Sequence, residues 1–113
     1  MPERFSAGAK QAVGTLFALY AEFLVAGEYQ RDGEALATAK FLAMPVPLPM
    51  VDGSIVQPND ERLLFDATEL ATVNQPRPGD CVVQAVGGLS RNIITAHLDM
   101  TGTYWSMVAR KNL

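Results

Sequence analysis

Cysteine and histidine are nearly missing from this chain: each occurs once, as Cys81 and His97. A lone cysteine cannot close an internal disulfide or build a thiolate cage around a metal. With a single histidine beside it, a transition-metal site would need carboxylates at a spacing this sequence does not offer. No metal and no cofactor is expected. Cys81 itself reads as a small buried apolar side chain, in a composition that fits a reducing compartment. Excess positive charge is missing too: nine Lys+Arg stand against twelve Asp+Glu, a net charge of −3. A protein that clamps a phosphate backbone needs concentrated positive charge, so gripping nucleic acid is not the expected task. Charge alone leaves room for a nucleic acid that passes without being held. No apolar run reaches the ~20 residues of a membrane span. The stretch Ala12 to Ala21 ends at Glu22, and although Arg4 and Lys10 ahead of it imitate a signal peptide, no small-x-small cleavage site follows. Neither a membrane segment nor a secretory signal is expected.

The usual catalytic signatures are equally scarce. There is no Gly-x-Ser-x-Gly elbow, no Walker loop and no Gly-x-Gly-x-x-Gly. His97 has Asp99 and Ser106 within reach in sequence, but it sits in what reads as a plain strand, where a surface or hydrogen-bonded histidine is the ordinary case. Asp60 and Glu61 are adjacent, so on a strand they point to opposite faces and do not converge. Asp66 and Glu69 have the spacing of a helix cap. Tyr20, Tyr29, Tyr104 and Trp105 are not interleaved with a basic stripe, which gives little support to a base-stacking platform. No catalytic residue is assigned, and a non-enzymatic role is expected.

What is present is a chain of 113 residues, 49% hydrophobic, long enough for one domain. Its expected division is an N-terminal helix over 1–20 and a small antiparallel β-barrel or sandwich of about six strands over 21–113. Phe5, Ala9, Ala12, Leu16, Leu19 and Tyr20 recur at helical spacing, with Pro2 and Glu3 suited to a first turn. Gly8 and Gly14 weaken that helix, so it needs a partner surface, and it would cover one open face or end of the sheet. Val13 and Phe17 lie off the main stripe; they either widen the core-facing side or face another subunit.

Around Tyr20 two readings compete. In one, Glu22–Gln30 and Ala35–Met44 form a hairpin about Asp32-Gly33; in the other the helix runs on to Ala26 and the hairpin is lost. Pro45, Pro47 and Pro49 alternate, which suits an edge strand whose proline side faces outward. Val51, Ile55 and Val56 are apolar residues among turn signals; such residues usually tuck back onto their own domain and in a minority of cases form a contact surface. Strands are then expected at Glu61–Phe65, Cys81–Val86, Leu89–Leu98 and Thr103–Arg110. Asp66 to Leu70 is expected to be a capped helical turn, and Trp105, Met107 and Ala109 to share one face.

The segment Val51-Asp52-Gly53-Ser54-Ile55-Val56-Gln57-Pro58-Asn59-Asp60-Glu61-Arg62-Leu63-Leu64-Phe65-Asp66-Ala67 is followed by Pro76-Arg77-Pro78-Gly79-Asp80 before a strand. The chain then ends in a strand closing on Ala109-Arg110-Lys111, and an early hairpin is carried by Gly27 to Gly33. In order and interval, from Gly27 to Lys111, this resembles the neck proteins of long-tailed bacteriophages, the head–tail joining, head-closure or tail-completion proteins. The resemblance implies a small β-barrel with an N-terminal helix and long loops. It implies assembly as a homo-oligomeric ring, on the order of six or twelve copies, between the portal or adaptor and the tail-tube or tail-terminator proteins. DNA would pass through the centre without sequence-specific binding. The place implied is the neck of the virion, after synthesis in the host cytoplasm. On this reading Val13, Phe17, Val51, Ile55 and Val56 are the expected interface residues. The alternative is a stand-alone small β-barrel that binds a peptide or another cellular protein.

Overall fold

The computed structural model describes residues 15, 17–19, 21–47 and 55–112. Residues 15 and 17–19 are helical, and a 3-10 turn follows at Ala21–Phe23. The earlier part of the expected N-terminal helix lies outside the described residues. Val25 already belongs to a strand, which overturns the reading that carried the helix on to Ala26.

Strands β1 (Val25–Arg31) and β2 (Glu34–Pro45) form the antiparallel hairpin expected from Asp32-Gly33. Both turn residues have positive φ, 54° at Asp32 and 81° at Gly33. That is the twist a two-residue hairpin needs, and Asp-Gly supplies it at little steric cost. Four more strands follow: β3 (Glu61–Asp66), β4 (Cys81–Gln84), β5 (Ser90–Leu98) and β6 (Tyr104–Asn112). Together the six close an antiparallel barrel in the order β1-β2-β3-β6-β5-β4. Most strand ends differ from expectation by one to three residues; β1 starts at Val25 and not at Glu22, because Ala21–Phe23 form a 3-10 turn. β4 stops at Gln84, not Val86, because the Gln84 N–H closes on the Leu89 carbonyl at 2.8 Å and Gly87 and Gly88 turn the chain with φ of 86° and 68°. β6 begins at Tyr104, since Thr103 is held back by Asp99 in the preceding turn, and it runs on to Asn112.

Alternation along the strands sorts the side chains. Tyr29, Ala39, Phe41, Leu63, Phe65, Val82, Ile93, Met107 and Ala109 fill the barrel, and Trp105 packs against them, so the expected face of β6 is the inner one. Phe65 lies at the centre, 5.2 Å from the Phe41 ring and 6.2 Å from the Tyr29 ring at 85°. Gly27 makes room for this packing: a Cβ there would come within 3.0 Å of the Phe41 ring and 3.1 Å of Val82 and the Val83 carbonyl. Leu70 and Val73, from the connection after β3, join the same core.

That connection also lies along an unpaired stretch of sheet edge. β3 joins β2 only from Phe41 onward, leaving Glu34 to Lys40 without a strand on that side. Asp66 caps a 3-10 turn, Ala67–Leu70, by accepting from the Thr68 N–H. Glu69, expected to complete a capping box, instead accepts the β2 amide of Lys40 at 2.7 Å, and the Thr72 hydroxyl donates to the Leu36 carbonyl at 3.0 Å. Side chains thus take up one amide and one carbonyl of the bare edge. Pro45 ends β2 beyond the last residue paired with β1, where no sheet neighbour asks for its N–H.

Candidate interaction surfaces

Of the five residues expected at an interface, Val13 and Val51 lie outside the described residues. Phe17 is half-buried in the helical stretch. Ile55 and Val56 part company: Ile55 is 59% exposed and Val56 only 7%. The reason is a second, outer cluster. Val46 and Val56, from the two sides of the central connection, pack on Val108, which faces outward from β6, and Ile94 joins them from the irregularity in the β5–β6 register. The apolar surface of Val56 is therefore used by its own barrel, and Ile55 is the one of the pair that faces solvent.

Asp60 anchors the position of this connection. It is 3% exposed, and its carboxylate takes the Arg110 guanidinium through both oxygens, at 2.8 and 2.9 Å. The same carboxylate accepts the Gln57 N–H, while the Asp60 N–H closes a turn on the Gln57 carbonyl. Arg110 reaches further and donates to the Ile55 carbonyl at 3.1 Å. The Arg110 hydrogen bonds hold the Asp60 carboxyl below its ordinary pKa, against the opposing effect of burial.

The other Pro-x-Asp sequence builds the same device. In Arg77-Pro78-Gly79-Asp80 the Asp80 N–H bonds the Arg77 carbonyl and the Asp80 carboxylate accepts the Arg77 N–H. Arg31, at the end of β1, donates to both Asp80 oxygens at 2.9 and 3.0 Å and also to the carbonyls of Asn74 and Gln75. Here the Tyr29 hydroxyl adds a buried 2.6 Å bond. Burial raises the Asp80 pKa, but Arg31, Tyr29 and the Arg77 amide together outweigh it and hold the group below its ordinary value. Burial, reinforced by Asp80, pushes the Tyr29 phenol far above its usual range. Neither clamp is readable from local sequence alone. The signal was the repeated Pro-x-Asp; its arginine partners are far away in sequence and become visible only through strand pairing.

The residues weighed for chemistry are placed apart in role. His97 is exposed on β5 and pairs across the ladder with Ser106, whose hydroxyl accepts from Arg62 at 3.0 Å. Asp99 faces its own turn, accepting from the amides of Thr101, Thr103 and Tyr104 and from the Thr101 hydroxyl. Burial opposes ionisation there, but those donors bring its pKa down to about 2. Asp60 and Glu61 diverge as their adjacency implies: Asp60 binds Arg110, and Glu61 binds Arg91 at 2.8 Å. Arg91 is 5% exposed, bonded to Gln84 as well, and stacked 5.3 Å from the Phe41 ring centroid. Cys81 is half-buried, not fully buried, with its sulfur 3.0 Å from the Ser90 hydroxyl.

Apart from Ile55, other large apolar side chains are exposed: Leu19 at 74%, Phe23 at 63%, Val86 at 81% and Met100 fully. Val86 was hidden from sequence reasoning because an apolar residue before Gly-Gly reads as the end of a strand. The chain matches no family model, and no curated protein or solved structure is significantly similar to it.

Proposed function

We propose that this chain is a structural, non-enzymatic protein of the head–tail junction of a tailed bacteriophage. It forms a homo-oligomeric ring between the portal or adaptor and the tail tube, with DNA passing through the centre. One observation carries the reading: a closed six-stranded barrel runs from Val25 to Asn112, and two of the segments that carry the resemblance lead through Asp60 and Asp80 into β3 and β4. A net charge of −3 supports a channel wall that lets DNA slide, since contact with phosphates is repulsive. Exposed Ile55, on a connection pinned by Asp60 and Arg110, suits contact with a neighbour because little freedom is lost on docking.

Native mass spectrometry or light scattering tests the reading, on the protein alone and mixed with a tail-tube or adaptor protein. A ring, alone or with the partner, is expected; a strict monomer that binds neither overturns it. The second reading is a stand-alone barrel that binds a cellular protein, favoured by the same exposed apolar side chains on a closed scaffold. Gene neighbours separate the two: portal, capsid and tail genes favour the first, isolated metabolic genes the second.

A further inference from the structure

Five arginines lie among the described residues, and four of them donate to a side-chain acceptor of the same chain: Arg31 to Asp80, Arg62 to Ser106, Arg91 to Glu61 and Arg110 to Asp60. Arg77 is the exception. Its backbone closes the turn onto Asp80, but its exposed guanidinium makes no ion pair or hydrogen bond with the described residues. It lines a cleft of about 430 Å³ together with Arg31, Asn74, Gln75, Pro76 and Pro78.

The cleft is rigid for reasons separate from Arg77. Arg31 fastens the carbonyls of Asn74 and Gln75 at 3.1 and 3.0 Å, and Asp80 neutralises Arg31 from the other side. Gln75 is held at φ 53°, a left-handed conformation that a non-glycine residue adopts at a cost. Two prolines flank Arg77 and stiffen its backbone. With their carbonyls tied down, Asn74 and Gln75 keep exposed side-chain amides beside the guanidinium. The result is a pinned stretch of backbone that presents one guanidinium with no acceptor among the described residues.

We propose that this cleft binds a carboxylate-bearing segment of a partner protein, with the Arg77 guanidinium as the fork that receives the carboxylate. A planar guanidinium matches a carboxylate through two parallel hydrogen bonds. A nucleic-acid strand is disfavoured, because a phosphate backbone asks for several cations in a row and the cleft offers one unpaired guanidinium. The assignment goes beyond the ring proposal and holds for either reading of the protein's role.

A titration of the 15N-labelled protein, followed by NMR at low salt, tests it with three probes: a capped oligoglutamate peptide, a capped oligoglutamine peptide of equal length and a single-stranded DNA oligonucleotide. Oligoglutamate is expected to move the amide resonances of Asn74, Gln75, Arg77 and Gly79 and the Arg77 Nε signal, saturating on the order of 1 mM. Oligoglutamine leaves them in place. Arg77→Gln abolishes the shifts and Arg77→Lys restores part of them, with the rest of the spectrum unchanged in both. No shifts, equal shifts with oligoglutamine, or shifts that persist in Arg77→Gln overturn the proposal. Stronger movement of the same signals by DNA overturns it in favour of a nucleic-acid contact.

Discussion

Arg31 and Asp80 meet at 2.9 Å one residue beyond the last pair of the β1–β4 ladder, Gln30 with Cys81. Arg110 and Asp60 meet at 2.8 Å one residue beyond the last pair of the β3–β6 ladder, Glu61 with Ala109. In both places an antiparallel pair of strands ends in an arginine opposite an aspartate, and the aspartate closes a proline turn that launches the next strand. The clamp joins strand pairing to loop position, so each loop inherits its place from the barrel.

The two clamps differ in what surrounds them, and that difference sets the expected costs. Asp80→Ala strands the buried Tyr29 hydroxyl and leaves Arg31, 17% exposed at its side chain, without its counter-ion. A loss of about 3–5 kcal/mol is expected, as for a broken buried pair. Arg110 is 40% exposed and can turn to water, so Asp60→Ala is expected to cost less, about 1–3 kcal/mol. Urea unfolding of the two variants gives the order; an Asp60→Ala variant weaker than Asp80→Ala contradicts this account.

Gly27→Ala tests the packing of the barrel interior. The added methyl would meet the Phe41 ring at 3.0 Å and a backbone carbonyl at 3.1 Å, and the carbonyl cannot swing away. The expected loss is about 1–3 kcal/mol, typical of an overfilled core. Thermal unfolding with a midpoint equal to that of the parent protein would remove the steric argument.

Acid should loosen the molecule within a defined window. The carboxyls of Asp60, Asp80 and Asp99 all titrate lower in the folded chain than in the unfolded one, with Asp99 near pH 2. A depressed folded pKa contributes stability that is complete above the unfolded value, about 3.9. That contribution is lost as pH falls through the folded value. Stability is therefore expected to be flat in these three groups above about pH 5 and to drop from about pH 4 toward pH 2. Asp99→Asn should make the drop shallower. A pH–stability curve with the same slope in that variant would show that Asp99 is not a source of it.

Neighbouring residues on the central connection should behave oppositely. Val56→Ala removes buried contacts with Val46 and Val108 and is expected to lower stability by about 1–2 kcal/mol. Ile55→Asp changes an exposed side chain and is expected to stay within about 0.5 kcal/mol of the parent protein. On the ring proposal, the same Ile55→Asp change weakens association. Unfolding curves read beside native mass spectra separate the two effects.

Strand positions were legible wherever a local signal existed. Asp32-Gly33 announced the first hairpin, and alternation announced the inner face of β6. Where partners are distant in sequence, legibility failed. Glu69 has the local spacing of a capping box, yet the amide of Lys40, left open where β3 ends, competes for it and wins. Val56 in sequence fits either a residue tucked onto its own domain or a contact residue, and nothing nearby in sequence announces that Val108 waits on the outside of β6. In sequence Arg77 is only one residue of the proline-rich segment ahead of β4. Its lack of an acceptor becomes visible once every other described arginine has been assigned one.

Glu69 and Thr72, by occupying the bare rim of β2, have a consequence for how copies of this chain can meet. Hydrogen-bonded zippering of one subunit's ribbon onto the next is hindered at two points of this rim, since the Lys40 amide and the Leu36 carbonyl are already taken. On the ring proposal, cohesion between subunits then falls more to side chains on the connecting segments, which can be exchanged without disturbing the scaffold beneath. Such a molecule can change its neighbours through evolution while keeping its shape.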